Sequence, residues 1–431
     1  MMIKAPPQAR SNRQATRDPG ARHGQVRIYL VLLLASLAYN YSFVLIDYLR
    51  PFLVRDLHMT LANTALLYAV QGAGVILGSF AVPVFASRWG CRTILAAATL
   101  CLALLTWGNL VSVTFYQWAV LRFGVGIMLA GSYISSTTML ANFFPPRVRG
   151  RLLAICASTF SVALLIAGSV GAAVADRGWR VLIWISILGP LAVAALTWTV
   201  LPDDRVLQVY GESDTAADAP VTGGSWTEML IGRRRYLTLA CLLLAGLNFS
   251  GYQFYSGFIT TYLMTVRHYD ASLAGVFVII DGVGTLVGSI AWGAIADWKG
   301  RRINALGFVL AALFIGAMLI APPRTLLLCA LEFGYALCLS TTSCWAAYFA
   351  ELFPIRLRPM GSSLFHGGHI ISLFAPLLVA TIARSYPLVF GMALAPLTFL
   401  AAALLWWTLP ETLRTSVLYR GFSAEAPEAT R

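Results

Sequence analysis

Stretches of about 20 consecutive apolar residues recur along this chain from residue 28 to residue 408, and no other feature restricts its fold as much. At a rise of 1.5 Å per residue, each is long enough for a helix to cross a hydrocarbon core of roughly 30 Å. Backbone in lipid must satisfy its own hydrogen bonds, and these runs are continuous rather than alternating, so helices are expected and not barrel strands. The spans fall at 28–49, 60–82, 93–112, 117–140, 152–174, 179–201, 236–264, 272–296, 303–321, 325–350, 361–383 and 386–408, which makes twelve. Composition agrees: 58% of residues are hydrophobic and 11% charged, against roughly 25% charged in an ordinary soluble domain. A soluble globular fold is excluded, and the expected class is an all-α integral membrane protein.

Charge placement sets the expected orientation. Residues 1–27 are polar and basic, with no apolar core and no small-residue cleavage site, and so read as a retained cytoplasmic tail rather than a signal peptide. Alternation then places Arg88 and Arg92, Arg147 to Arg151, Arg233 to Arg235, Lys299 to Arg302, and Arg356 and Arg358 on the cytoplasmic side, as the positive-inside rule requires. The expectation is a multi-pass protein of the plasma (inner) membrane with both termini cytoplasmic. The net charge of +13 then faces anionic lipid, and nucleic acid is not an expected partner. The seven cysteines lie within or at the ends of spans without a CxxC pair, so neither a disulfide framework nor a zinc site is expected.

The chain also repeats itself. LPDD at 201–204 recurs as LPET at 409–412, FFPPRVRG at 143 as LFPIRLRPMG at 352, LRFG at 121 as LEFG at 331, and NYS at 40 as NFS at 248. One offset of about 209 residues fits all four, as in the duplicated halves of many transport proteins. Two pseudo-symmetric six-helix bundles follow, at 28–201 and 236–409. Between them lies a cytoplasmic linker, 202–235, containing the polar DTAADAPVTGG and ending in the basic GRRRY; residues 410–431 form a cytoplasmic tail.

GAIADWKGRR, Gly293 to Arg302, resembles the GxLADxxGRR loop of the major facilitator superfamily. The matching loop after the second span, PVFASRWGCR, keeps Arg88, Gly90 and Arg92 but has Pro83 and Ser87 where the family has glycine and aspartate. RFGVGIMLAG from Arg122 is similar to the family's fourth-helix motif, and ELFPIRLRPMG from Glu351 to its tenth-helix exit motif. The terminal LPET resembles the sugar porters and their proton-coupled organic-acid relatives. The fifth span, LLIAGSVGAAVA, lacks the proline of the drug antiporters, which favours symport or facilitation. The resemblance implies alternating access around a central cavity lined by helices 1, 4, 7 and 10. It also implies a conformational latch at Gly293, Asp297, Gly300, Arg301 and Arg302, with Arg88, Gly90 and Arg92 as its weaker counterpart.

Intramembrane polar residues are candidates for function because burying them is costly. Asp47 in the first span and Arg122 in the fourth both lie roughly 10 Å outside the midplane and resemble a proton-coupling pair. Arginine does not lose its proton, so the carboxylate is the switch. Arg50, three residues from Asp47, offers a local alternative partner. Glu332, the repeat mate of Arg122, is the competing proton carrier or a cross-cavity partner of Arg122. Candidates for substrate contact are Asn40 and its mate Asn248, then Tyr252, Gln253 and Tyr255, Asp281 in the eighth span, and His366 and His369 in the eleventh. Asn40, Asn248 and the histidines could equally serve helix packing.

No catalytic triad, metal-ligand cluster or phosphate-binding loop is apparent in the sequence, so no enzyme activity, cofactor or metal is expected. The expected function is a monomeric secondary active transporter importing a small organic carboxylate, such as an aromatic acid, together with protons. A sugar or polyol symporter or facilitator is the alternative substrate reading. A transport-dead sensor or scaffold is the alternative class, and a scaffold has no need of a buried Arg122 or a latch.

Overall fold

The computed structural model describes residues 19–144, 146–173, 178–202, 226–354 and 357–412. The expected tail, linker and C-terminal segment fall largely outside these residues. Twelve helices are long and apolar enough to cross a membrane: α1 Gly24–Asp56, α2 Leu61–Ala86, α3 Cys91–Val111, α4 Phe115–Leu140, α5 Leu152–Ala173, α6 Arg180–Val200, α7 Arg233–Thr265, α8 Ala271–Lys299, α9 Arg302–Ile320, α10 Thr325–Glu351, α11 Ser363–Ile382 and α12 Leu388–Thr408. All twelve expected spans are present. The largest departure is α1, whose helical backbone begins at Pro19 and runs through Pro51 to Asp56, beyond both ends of the expected 28–49.

Local chemistry sets the ends. Thr60 caps α2 by accepting the Asn63 N–H at 3.1 Å, and its repeat mate Asp270 caps α8 by accepting the Leu273 N–H at 2.7 Å. A capping box of Thr114 and Gln117 starts α4. Where α1 and α7 end, the mates His58 and His268 both adopt the left-handed conformation, with φ of 51° and 57°. The next N–H in each case returns to the helix, from Met59 to the Leu53 carbonyl and from Tyr269 to the Leu263 carbonyl.

Packing repeats in the same way. Within the first half α2 packs on α4, α3 on α4 and on α6; within the second α8 packs on α10, α9 on α10 and on α12. Gly74 and its mate Gly284 sit at close crossings of these helices: an added Cβ would lie 2.1 Å from the Phe123 carbonyl oxygen in one half, and 2.6 Å from the Ala336 Cβ in the other. The two bundles meet through α1 against α7, α5 against α8 and α2 against α11. The last two pairs exchange under the repeat, as an approximate two-fold axis demands.

The hydrogen bonds from Gln253 and Thr260 of the second bundle to Asp47 of the first lie in the half of the molecule away from the chain termini. There Gly168 of α5 and Gly275 of α8 bring backbone against backbone, and a Cβ on Gly275 would lie 2.6 Å from the Ala172 nitrogen. Ser272 donates to the Ala172 carbonyl at 3.1 Å beside them.

Candidate functional site

Asp47 sits about nine residues, roughly 14 Å, below the far end of α1 and is 5% exposed. Its Oδ1 accepts from Nη2 of Arg50 at 2.8 Å, and its Oδ2 accepts from Nε2 of Gln253, on α7 of the opposite bundle, at 3.1 Å. The Asp47 carbonyl takes a further bond from the Thr260 hydroxyl at 3.4 Å. Arg50 is fully buried and lays its guanidinium over the ring of Phe258, also on α7, 3.9 Å from the centroid. One buried ion pair on α1 is thereby seated on α7, closing the seam between the bundles.

The arginine paired with Asp47 in this conformation is thus Arg50 and not Arg122. Arg122 is 1% exposed, donates from Nη1 to Gln71 of α2 at 3.2 Å and lies over the Trp118 ring; its Nε and Nη2 have no acceptor. It interacts electrostatically with Asp47 without an ion pair. Among the described residues, the first bundle therefore buries two guanidiniums, Arg50 and Arg122, and one carboxylate, Asp47.

Glu332 does not reach Arg122 either. Its Oε2 accepts from the Tyr255 hydroxyl at 2.5 Å, inside the second bundle, while Tyr255 stands edge-on to Tyr335 with centroids 4.6 Å apart. Asp281 is 4% exposed, and its Oδ1 has no partner. Tyr252 turns its ring edge to Phe160 of α5 across the seam, centroids 6.0 Å apart. Asn248 is buried with its Oδ1 unpartnered, whereas Asn40 is committed to packing, donating to Thr159 of α5 at 2.8 Å and to the Ser36 carbonyl at 3.0 Å.

His369 stacks on Phe249, centroids 3.7 Å apart, and meets Phe43 of the other bundle edge-on. His366 and His369 lie on either side of Gly368, whose backbone stays in the right-handed helical region at φ −60° and ψ −23°. The His366 side chain lies outside the described residues.

At the termini end the loop around Gly300 is a closed network. Arg301 pairs with Asp297 at 2.6 Å and with Glu351 of α10 at 3.4 Å, and Glu351 accepts the Thr412 hydroxyl at 2.5 Å. Glu411, in LPET, accepts the backbone N–H groups of Arg301 and Arg302, each at 2.9 Å. Gly300 has φ 108°, a region that strains any other residue, and a Cβ there would lie 2.7 Å from the Glu411 carboxylate. A Cβ on Gly293 would meet only the Ser343 hydroxyl oxygen, at 3.9 Å, an ordinary contact. In the first half Gly90 has φ 80°, and Arg92 donates to the Trp198 carbonyl as Arg302 does to the Trp407 carbonyl. Arg88 is exposed. Glu351 and Glu411 are the members that reading residues one by one left without a role; ELFPIRLRPMG was the signal for Glu351 and the recurrence of LPDD as LPET that for Glu411. Gln71, a polar residue inside the second span, was equally visible.

The sequence profile described as Major Facilitator Superfamily matches residues 28–343. A cis,cis-muconate transport protein of Acinetobacter baylyi is 24% identical over 383 residues, covering 86% of this chain and 90% of that protein. A gallate transporter of Pseudomonas putida is 24% identical over 413 residues, covering 88% and 91%. Among solved structures, the D-xylose-proton symporter superposes with a TM-score of 0.69 at 20% identity, covering 90% of this chain and 98% of that one.

Proposed function

This chain belongs to the Major Facilitator Superfamily, and from that premise we propose that it imports a small organic carboxylate, of the aromatic-acid type, together with protons by alternating access. One observation carries the substrate class: two buried guanidiniums, Arg50 and Arg122, face a single carboxylate, Asp47. Protonating Asp47 leaves that surplus positive charge without its counter-ion. A substrate carboxylate restores the balance, so proton and anion bind better together than apart. A neutral sugar gains nothing from this arrangement. Muconate and gallate, named for the two relatives, are carboxylates, which supports the same reading.

The seam supplies the mechanical step. Opening the far end must part Asp47 from Gln253 and Thr260, and Arg50 from Phe258. Proton binding turns a charge-assisted contact into a neutral one and lowers that barrier. Arg122, whose Nε and Nη2 have no acceptor, is the guanidinium that takes up a carboxylate once the seam parts. Asn248 and Tyr252 are the polar groups left to orient the rest of the solute, while Gln253 acts as a hinge contact. The basic loops at the termini end support a cytoplasmic orientation for it, with the far end opening outward.

The test uses proteoliposomes under an imposed inward proton gradient, with radiolabelled benzoate-type acids, dicarboxylates and sugars. Gradient-driven accumulation of an acid is expected. Asp47→Asn should abolish accumulation and retain exchange, with acid binding no longer dependent on pH. Accumulation of a sugar, or of nothing in the panel, would overturn the reading.

A further inference from the structure

The second bundle buries two carboxyl groups with no cation beside either. Asp281, about ten residues into α8, is 4% exposed, and its Oδ1 takes no hydrogen bond. Glu332, about seven residues into α10, is fully buried; only its Oε2 is engaged, by Tyr255, and its Oε1 is bare. Among the described residues neither forms an ion pair. Three residues on from Asp281, Gly284 packs on Ala336 and on the Phe333 carbonyl of α10, so both acids lie within a turn of the crossing between α8 and α10.

Among the described residues no positively charged group acts on them. The titratable groups facing them are Tyr252 and Tyr255 from α7 and Tyr335 and Cys329 from α10. The helical stretch Ala305–Ile320 of α9 contains none, and α5 meets α8 beside Asp281 through Leu165 packed on Gly282. Desolvation and mutual repulsion both act against two negative charges here. In the first bundle, by contrast, Asp47 has a guanidinium in direct contact.

We propose that Asp281 and Glu332 form a second proton-binding site, separate from Asp47, in which the two carboxyls share one proton. The step is a simple proton transfer: a proton adds to a free oxygen lone pair and later leaves, and nothing is oxidised or reduced. Tyr255 holds Oε2 of Glu332, which leaves Oε1 of Glu332 and Oδ1 of Asp281 to receive the proton. Tyr252 connects the site to the seam: it interacts with both Asp281 and Asp47, and its ring touches the opposite bundle. A metal cation would need roughly six oxygen ligands, and among the described residues no third acidic, His or Cys group joins the pair. Resting on the transport reading, the consequence is that a substrate monoanion travels with more than one proton, so uptake moves net positive charge inward.

The site itself is tested without substrate, by infrared difference spectroscopy of the full-length protein in lipid, following the carbonyl stretch of a protonated carboxyl and its shift in deuterated water. At neutral pH the wild type is expected to show this band. Asp47→Asn should leave it in place, and Asp281→Asn with Glu332→Gln should remove it. Persistence of the band in the double variant, or its loss from the wild type when sodium chloride is added at constant pH, would overturn the proposal. Should the double variant misfold, each single variant must shift or remove the band, and an unchanged band in both defeats the assignment. Because no solute is used, failure of the acid-import reading leaves this result standing. With an accepted acid in hand, reversal potentials should give a proton-to-substrate ratio that falls by one in Glu332→Gln; a wild-type ratio of one would refute the coupling.

Discussion

A buried guanidinium is among the least tolerated groups inside a membrane helix, and Arg50 is held by one carboxylate and one aromatic face. Removing one partner of such a pair strands the other. Arg50→Met should therefore destabilise the purified protein by about 3 kcal/mol, and combining it with Asp47→Asn should recover most of that loss. Thermal unfolding in detergent measures both; additive losses would show that the two residues do not act as a pair. Sequence made Asp47, Arg50 and Arg122 visible as intramembrane charges, and their depths agree. It could not rank the two arginines, because the choice depends on Phe258 and Gln253 of α7, more than 200 residues away. Tyr255 and Glu332 illustrate the same limit: both stood out as candidates, but their bond at 2.5 Å depends on how α7 and α10 are rotated, which hydropathy does not encode.

At the scale of elements, the twelve spans were legible because each crosses lipid on its own and must be apolar along most of its length. The ends were less so. A helix such as α1 continues past its apolar stretch wherever packing or a cap sustains it, here to Asp56, whose carboxylate accepts the Trp179 indole N–H at 2.9 Å. The Gly300 loop makes a sharper prediction. Its φ of 108° and the carboxylate of Glu411 leave no room for a side chain, so Gly300→Ala should cost about 1–3 kcal/mol. Glu411→Ala, which strips two backbone N–H groups of their charged acceptor, should cost about 1.5–3 kcal/mol. Both variants should melt earlier, while Gly293→Ala, whose Cβ would make only an ordinary contact with Ser343, should melt like the parent.

For the whole molecule, the repeat was the feature that sequence conveyed best. An offset found in four short strings reappears as matched caps, matched left-handed histidines and matched arginine contacts. What the repeat leaves open is how far the halves have rocked. Gly168 and Gly275 allow the far ends of α5 and α8 to touch, and Gly275→Val should hold them apart. His58 and His268, exposed at the far tips of the two halves, are suitable sites for spin labels after His→Cys replacement. Their distance distribution should move to longer values in Gly275→Val; an unchanged distribution would mean that this crossing does not set closure.

The two arginine contacts also bear on how the chain is made. Arg92 binds the Trp198 carbonyl near the end of α6, and Arg302 the Trp407 carbonyl near the end of α12. Each is a clasp between an early turn of its half and the last helix of that half. During synthesis the first clasp can close as soon as α6 has entered the bilayer, before α7 has left the ribosome. That clasp needs no residue of the second half, whereas the seam around Asp47 needs α7 and so cannot close until the second half has begun to insert.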